Sequence, residues 1–190
     1  MASEQQAIAK SDEVQHKQIM QELVDNAKSL AMSSKSNIAA ANQGQYTVIT
    51  IKNTTSATLN YYTKHDWFGH VLGSYPQFIM NNSSASFIHV GDPEHGSEGA
   101  VVYSGKNKNG IPIGWLLAWD ATPNLPEKKV YVECGPFSKY VNIDWSALKA
   151  KLEAADIIGT YMDPVTKTVI AAQIVNLGNY VGVGATIGDV

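Results

Sequence analysis

The chain has 190 residues, 44% of them hydrophobic and 16% charged, with a net charge of −3. That length fits one domain burying about 70% of the surface its unfolded form exposes, and the composition excludes intrinsic disorder as the main state. All 14 basic residues are lysines; with no guanidinium fork for phosphates or base edges, and with only Lys128 and Lys129 adjacent, neither nucleic acid nor anionic lipid is an expected partner.

Met1–Gln6 lacks a basic region followed by an apolar run, so no secretory signal is visible and synthesis in the cytosol is expected. Ser11, Asp12 and Glu13 form a helix start, with a capping side chain and acids in the first turn. The spacing predicts an amphipathic helix from about Asp12 to Met32, its apolar stripe running through Leu23 and Ala27 opposite Gln18, Glu22 and Asp25. A polar linker follows, so that residues 1–44 form a helical arm and 45–190 the main body of a single domain.

From Tyr46 onward, short runs rich in Val, Ile, Thr and Tyr alternate with Gly, Asn, Ser and Pro clusters, the pattern of an all-β chain. Strands are predicted at about Thr47–Lys52, Leu59–Asp66, Phe78–Met80, Ser86–Val90, Gly99–Ser104, Ile113–Trp119, Val130–Cys134, Thr160–Met162 and Val169–Val175. Lys106–Gly110 and Asp163–Lys167 carry hairpin-turn chemistry. One helix interrupts the series at about 144–155, capped by Asp144, with Trp145, Leu148, Leu152 and Ala155 on one face. The glycine-rich tail, with Gly178, Gly182, Gly184 and Gly188, carries no strand assignment. The expected fold class is mainly β, a sandwich flanked by two helices. The longest apolar stretches, such as Ile113–Trp119, fall short of the roughly 18 residues of a membrane-spanning helix.

Enzymatic and metal chemistry find little support. Cys134 is the sole cysteine, which precludes an internal disulfide and a cysteine zinc cage. His65, Asp66, His70, His89, Asp92 and His95 are metal-ligand types without metal-ligand spacing, and no Gly-x-Ser-x-Gly or phosphate-cradling loop occurs. No cofactor, no metal and no catalytic residue are expected.

Aromatic residues and acids, by contrast, occur together. Tyr61 to His70 crowds rings around Asp66, and Trp119–Asp120 enters a loop containing Pro123 and Pro126, with Phe137, Tyr140 and Trp145 following. Tyr103, Phe87 and Trp115 are read as core, while the rings near loops are candidates for an exposed site. Rings beside a carboxylate suit a quaternary ammonium, as in choline. Tryptophan and tyrosine also suit the membrane interface or a sugar face, so the residues themselves permit either lipid or glycan.

Lys64-His65-Asp66-Trp67-Phe68-Gly69-His70, Gly96 to Gly105, Trp115 to Trp119 and Val130 to Glu133 resemble the small jasmonate-induced proteins of plants and their mushroom relatives, the nakanori group. The resemblance covers roughly Gln45 to Ala155 and implies an actinoporin-like β-sandwich with two flanking helices. It also implies a non-enzymatic partner of membranes rich in sphingomyelin and cholesterol, acting peripherally at the outer surface of target cells. By motif order it places Glu98 at a pocket wall, Asp66 near the hydroxyl-bearing wall and Pro123 in the pocket's proline loop, whereas Trp145, Lys149 and Ala150 stand where actinoporins carry paired tyrosines. The candidate headgroup site is thus Asp66, Trp67, Phe68, Glu98, Trp119, Asp120 and Pro123, with Tyr140 and Trp145 as additions. Because Met1 to Glu13 is polar and the first helix is charged along its length, binding without lysis is expected. A glycan-binding lectin on the same scaffold and an intracellular stress or storage protein are the alternatives. Homo-oligomerisation is left open.

Overall fold

The computed structural model describes residues 46–190 except Asn124 and Asn179, together with Gln18, Gln21, Glu22, Asp25, Asn26 and Ser29. Those six upstream positions are helical and exposed; the apolar stripe of the helix expected over Asp12–Met32, and the linker after it, lie outside the described residues.

Among the described residues, eleven strands form two sheets. The six-stranded sheet runs in the order β3 (His70–Val71), β5 (Ser84–Val90), β1 (Tyr46–Asn53), β11 (Val181–Asp189), β10 (Thr168–Asn176) and β9 (Ile158–Asp163). The five-stranded sheet runs β4 (Phe78–Ile79), β2 (Leu59–Phe68), β6 (Ser97–Lys106), β7 (Pro112–Ala121) and β8 (Lys129–Pro136). Only β1 and β11 pair in parallel; every other pairing of named strands is antiparallel.

The sheets close on a core to which β7 contributes Ile113, Trp115, Leu117, Trp119 and Ala121, opposed by Ile49, Ile51, Ile170, Ala172, Val183, Ala185 and Ile187 of the other sheet. Strand alternation therefore turns Gly114, Leu116, Ala118 and Asp120 to the opposite face. There a second apolar layer, with Ala100, Val102, Leu116 and Ala118, is covered by a 3-10 helix (Phe137–Tyr140) and by α1 (Trp145–Glu153). Helix α1 starts where Asp144 Oδ1 accepts the Ala147 N–H at 3.0 Å, and it buries Leu148 and Leu152. Alanines at 100 and 118 leave room for those leucines to approach the sheet.

Both expected hairpins are present. Asn107 Oδ1 accepts the N–H groups of Asn109 and Ile111 at 3.0 and 2.9 Å, and Asp163 Oδ2 accepts the Thr166 N–H at 2.8 Å. The tail departs from the expectation. Val181–Asp189 is a central strand between β1 and β10, with Val181, Val183, Ala185 and Ile187 buried. Its glycines fall on the other face, where a Cβ on Gly188 would lie 2.7 Å from Thr54 Oγ1.

Candidate functional site

Strand β2 organises the site. Its register with β6 shifts between Tyr61 and Thr63 and again between Asp66 and Phe68, and such irregularities re-aim side chains. Tyr61 faces inward, stacked on Tyr75 at 5.6 Å. Tyr62 faces outward and meets the Phe137 ring edge-on at 4.7 Å. Farther along, His65 stacks on Trp145 at 4.9 Å and meets Trp67 edge-on at 5.0 Å, while Phe68 stacks on His95 at 4.3 Å. The outer face of β2 thus carries a band of half-exposed rings, joined at one end by α1. Desolvation lowers the pKa of His65, with the lysines Lys64 and Lys149 adding to that effect and Asp66 opposing it, so the ring is neutral at pH 7.

Within the band a cavity of about 250 Å³ opens between β2 and the segment leading into α1, lined by Tyr62, Thr63, Tyr140, Val141, Ile143 and Trp145. Tyr140 lies flat against the Gly114 backbone, where a Cβ would come within 2.2 Å of its ring. Its buried hydroxyl has no hydrogen-bond partner, and burial raises its pKa. The rim is apolar and open, with Tyr62 37% and Val141 52% exposed; on the neighbouring edge strand β4, Phe78, paired with Asn60, is 65% exposed.

Next to it lies a charged cluster. Phe68 pairs with Glu98 in register, and Glu98 Oε2 accepts a hydrogen bond from Lys149 Nζ of α1 at 2.9 Å. The same ammonium stands 5.1 Å from the Phe68 ring centre and 5.8 Å from that of Trp67. Glu98 is buried and its Oε1 has no partner. Burial raises its pKa, with the Asp120 charge adding and the Lys149 bond opposing.

Asp66 does not join that face. It points between the sheets, where Tyr75 Oη donates to Oδ1 at 3.0 Å, His89 Nε2 stands 3.4 Å from the same oxygen, and Lys64 binds Oδ2. Burial would raise its pKa, yet these donors outweigh it and hold it down at about 2. His89 Nδ1 in turn lies 2.9 Å from Ser97 Oγ, which accepts the Trp119 Nε1–H at 3.0 Å. Acid, imidazole and serine stand in the order of a hydrolase triad. However, His89 and Ser97 are fully buried and the serine oxygen is already occupied by the indole, so no substrate reaches them. Desolvation, the largest influence on His89, lowers its pKa against the pull of Asp66 and keeps it neutral.

Trp119, expected at a strand end that enters an exposed loop, is fully buried. Strand β7 runs on through Ala121, and its alternation sends Trp119 inward with Trp115. Asp120 closes a turn, accepting from Thr122 N and Oγ1 at 2.9 and 2.6 Å. Pro123 packs on Gly96, where a Cβ would fall 2.6 Å from its Cδ. Lys128, buried under this loop, donates to the carbonyls of Thr122, Pro123 and Leu125 at 2.6, 3.2 and 3.4 Å, and desolvation lowers its pKa against the attraction of Asp120.

The structure therefore brings Trp67, Phe68, Glu98, Tyr140 and Trp145 onto one face, assigns Asp66 and Trp119 to the interior, and gives Asp120 and Pro123 to a separate, self-bonded loop. Tyr62, Thr63, Val141 and Ile143 line the cavity without standing among the expected site residues; the available signal is the double tyrosine at a strand irregularity.

A sequence profile of the Nakanori-like protein family matches residues 3–169. The jasmonate-induced protein homolog of Atriplex canescens is 39% identical over 178 residues, covering 92% of each chain. The 23 kDa jasmonate-induced protein of Hordeum vulgare is 35% identical over 95 residues, 48% of this chain and 45% of its own length. Among solved structures, the crystal structure of the lipid binding protein Nakanori matches with a TM-score of 0.69 at 16% identity, over 84% of this chain and 79% of that one; at that identity the likeness concerns the fold.

Proposed function

The chain belongs to the Nakanori-like family, and on that premise we propose that it is a non-enzymatic protein binding lipid bilayer surfaces peripherally, through the outer face of β2. The observation that carries the reading is the aromatic cavity with its exposed apolar rim. Tyr62 and Trp145 offer ring faces to the methyl groups of a quaternary ammonium, and the Thr63 hydroxyl is a donor for a phosphate oxygen. Phe78 and Val141 are placed to enter the acyl boundary beside a bound headgroup. The absence of arginine and the net charge of −3 favour a zwitterionic headgroup over an anionic one.

Within this reading the preferred surface is sphingomyelin with cholesterol, and binding is non-lytic. Among the described residues no helix is long and apolar enough to cross a membrane. Co-sedimentation with vesicles of sphingomyelin plus cholesterol, phosphatidylcholine plus cholesterol, and sphingomyelin alone, with dye release read in the same samples, tests it. Binding confined to the first mixture, without leakage and abolished by Tyr62→Ser or Trp145→Ala, is the expected result. Binding to none of them, or displacement by soluble sugars, refutes it.

A further inference from the structure

We propose a second, cation-accepting subsite between β2, β6 and α1, built from the Glu98 carboxylate and the faces of Trp67 and Phe68, suited to a methylated ammonium and held closed by the ammonium of Lys149. It touches the cavity through His65, which stacks on Trp145 on one side and meets Trp67 on the other. The cage itself carries this assignment, independently of the lipid reading.

A carboxylate flanked by two ring faces is the chemistry that holds organic cations. In this structure the cation is internal: Lys149 Nζ is 2.9 Å from Glu98 Oε2 and within 6 Å of both ring centres. A primary ammonium is a poor match for that cage. It has three N–H donors, of which one meets Glu98 Oε2 while the ammonium also faces the Trp67 and Phe68 rings. A quaternary ammonium has no N–H to satisfy and spreads its charge over methyl groups that pack on rings, so the same walls fit it better. Glu98, buried with Oε1 lacking a partner, retains unspent negative potential toward such a guest.

Lys149 can yield its place. Its side chain is 31% exposed and reaches the cage over a flexible four-carbon stem from α1, so the ammonium exchanges its carboxylate for water by rotation without unfolding the helix. Removing one partner of a buried pair leaves the other uncompensated; here the incoming ammonium supplies the compensation. Lys149 thus acts as a competitor in cis, and its release is the event that admits a ligand.

The test is a calorimetric titration of the full chain with tetramethylammonium, sodium serving as the control for ionic strength. K149M keeps the stem and helix propensity while removing the charge, and should bind tetramethylammonium at least tenfold tighter than wild type; the double variant E98Q/K149M should lose that gain. No gain in K149M with wild-type circular dichroism and melting overturns the proposal. Should K149M fail to fold, the wild type decides: tetramethylammonium must raise the acylation rate of Lys149 severalfold by freeing its amine, and unchanged reactivity overturns the proposal.

Parallel vesicle binding separates sources of the ligand. A K149M gain on choline-headed over ethanolamine-headed vesicles assigns the ammonium to a lipid, and a gain with tetramethylammonium alone assigns it to a soluble cation; both sustain the subsite. Wild-type vesicle binding with no K149M effect in any arm removes the subsite and leaves the lipid reading standing.

Discussion

Phe78 and Trp119 offer a decisive pair of substitutions, because one aromatic is 65% exposed on the edge strand β4 and the other is fully buried between the sheets. Burying a phenylalanine side chain from water is worth about 1.5–3 kcal/mol. The exposed two thirds of Phe78 therefore contribute about 1–2 kcal/mol when it enters the acyl boundary, a ~5–30-fold change in partitioning. Phe78→Ala removes that contribution while making almost no core contact, so stability should change by no more than about 0.5 kcal/mol. Trp119→Ala does the opposite: it empties a core site and costs about 3–5 kcal/mol, lowering the melting temperature by roughly 6–20 °C for a chain of this size. The assay is co-sedimentation with sphingomyelin–cholesterol vesicles, normalised to folded protein by near-ultraviolet circular dichroism. Phe78→Ala should melt like wild type and bind ~5–30-fold more weakly, and Trp119→Ala should melt early yet bind normally while folded. Wild-type binding by Phe78→Ala, or loss of binding by folded Trp119→Ala, would refute the assignment of faces.

Further consequences concern the interior and the loops. Asp66 is held at about 2 against 3.8 for a free carboxyl, so its ionised form is stabilised in the folded state by about 2 kcal/mol. That stability is present above about pH 4 and is lost as the pH falls through about 2; urea midpoints of Asp66→Asn and wild type should differ at pH 7 and converge near pH 2, and a gap constant with pH would contradict the ion pairing. Gly114→Ala would place a Cβ 2.2 Å from the Tyr140 ring, which should cost about 1–3 kcal/mol as the ring shifts and reduce vesicle binding by deforming the cavity wall; unchanged melting and binding would show the ring to be free. Lys128→Met leaves three loop carbonyls without their shared donor, with an expected cost of about 1–3 kcal/mol and faster proteolysis between Thr122 and Lys128, while equal cleavage rates would remove Lys128 as the loop's anchor.

Much of the body was legible because turn chemistry and alternation are local. The Asn107 and Asp163 turns and the Asp144 cap act through side chains bonding their own backbone within a few residues, and that information is contained in a short window. The tail strand was legible by parity, since Val181, Val183, Ala185 and Ile187 alternate with Gly182, Gly184, Thr186 and Gly188, but glycine's low strand preference masked it. Packing decides there: β11 is held on both edges, by β1 and β10. Trp119 also follows parity from Trp115; the expected strand stops at Trp119, two residues short of the Ala121 end of β7, which puts the ring at a loop entrance.

The site is harder to read for a reason of another kind. Asp66, Trp67 and Phe68 are neighbours in sequence, which suggests an acid among rings, yet the register shift between Asp66 and Phe68 separates them. Asp66 is drawn inward by Tyr75 and His89, and the carboxylate that meets the rings is Glu98, brought opposite Phe68 by strand pairing. Composition thus placed an acid among rings, while strand pairing determines which acid meets them. The same pairing explains why Lys149 belongs to the site: Glu98 is buried beside α1, and Lys149 of that helix reaches it over a flexible stem from which it can give way to an incoming cation.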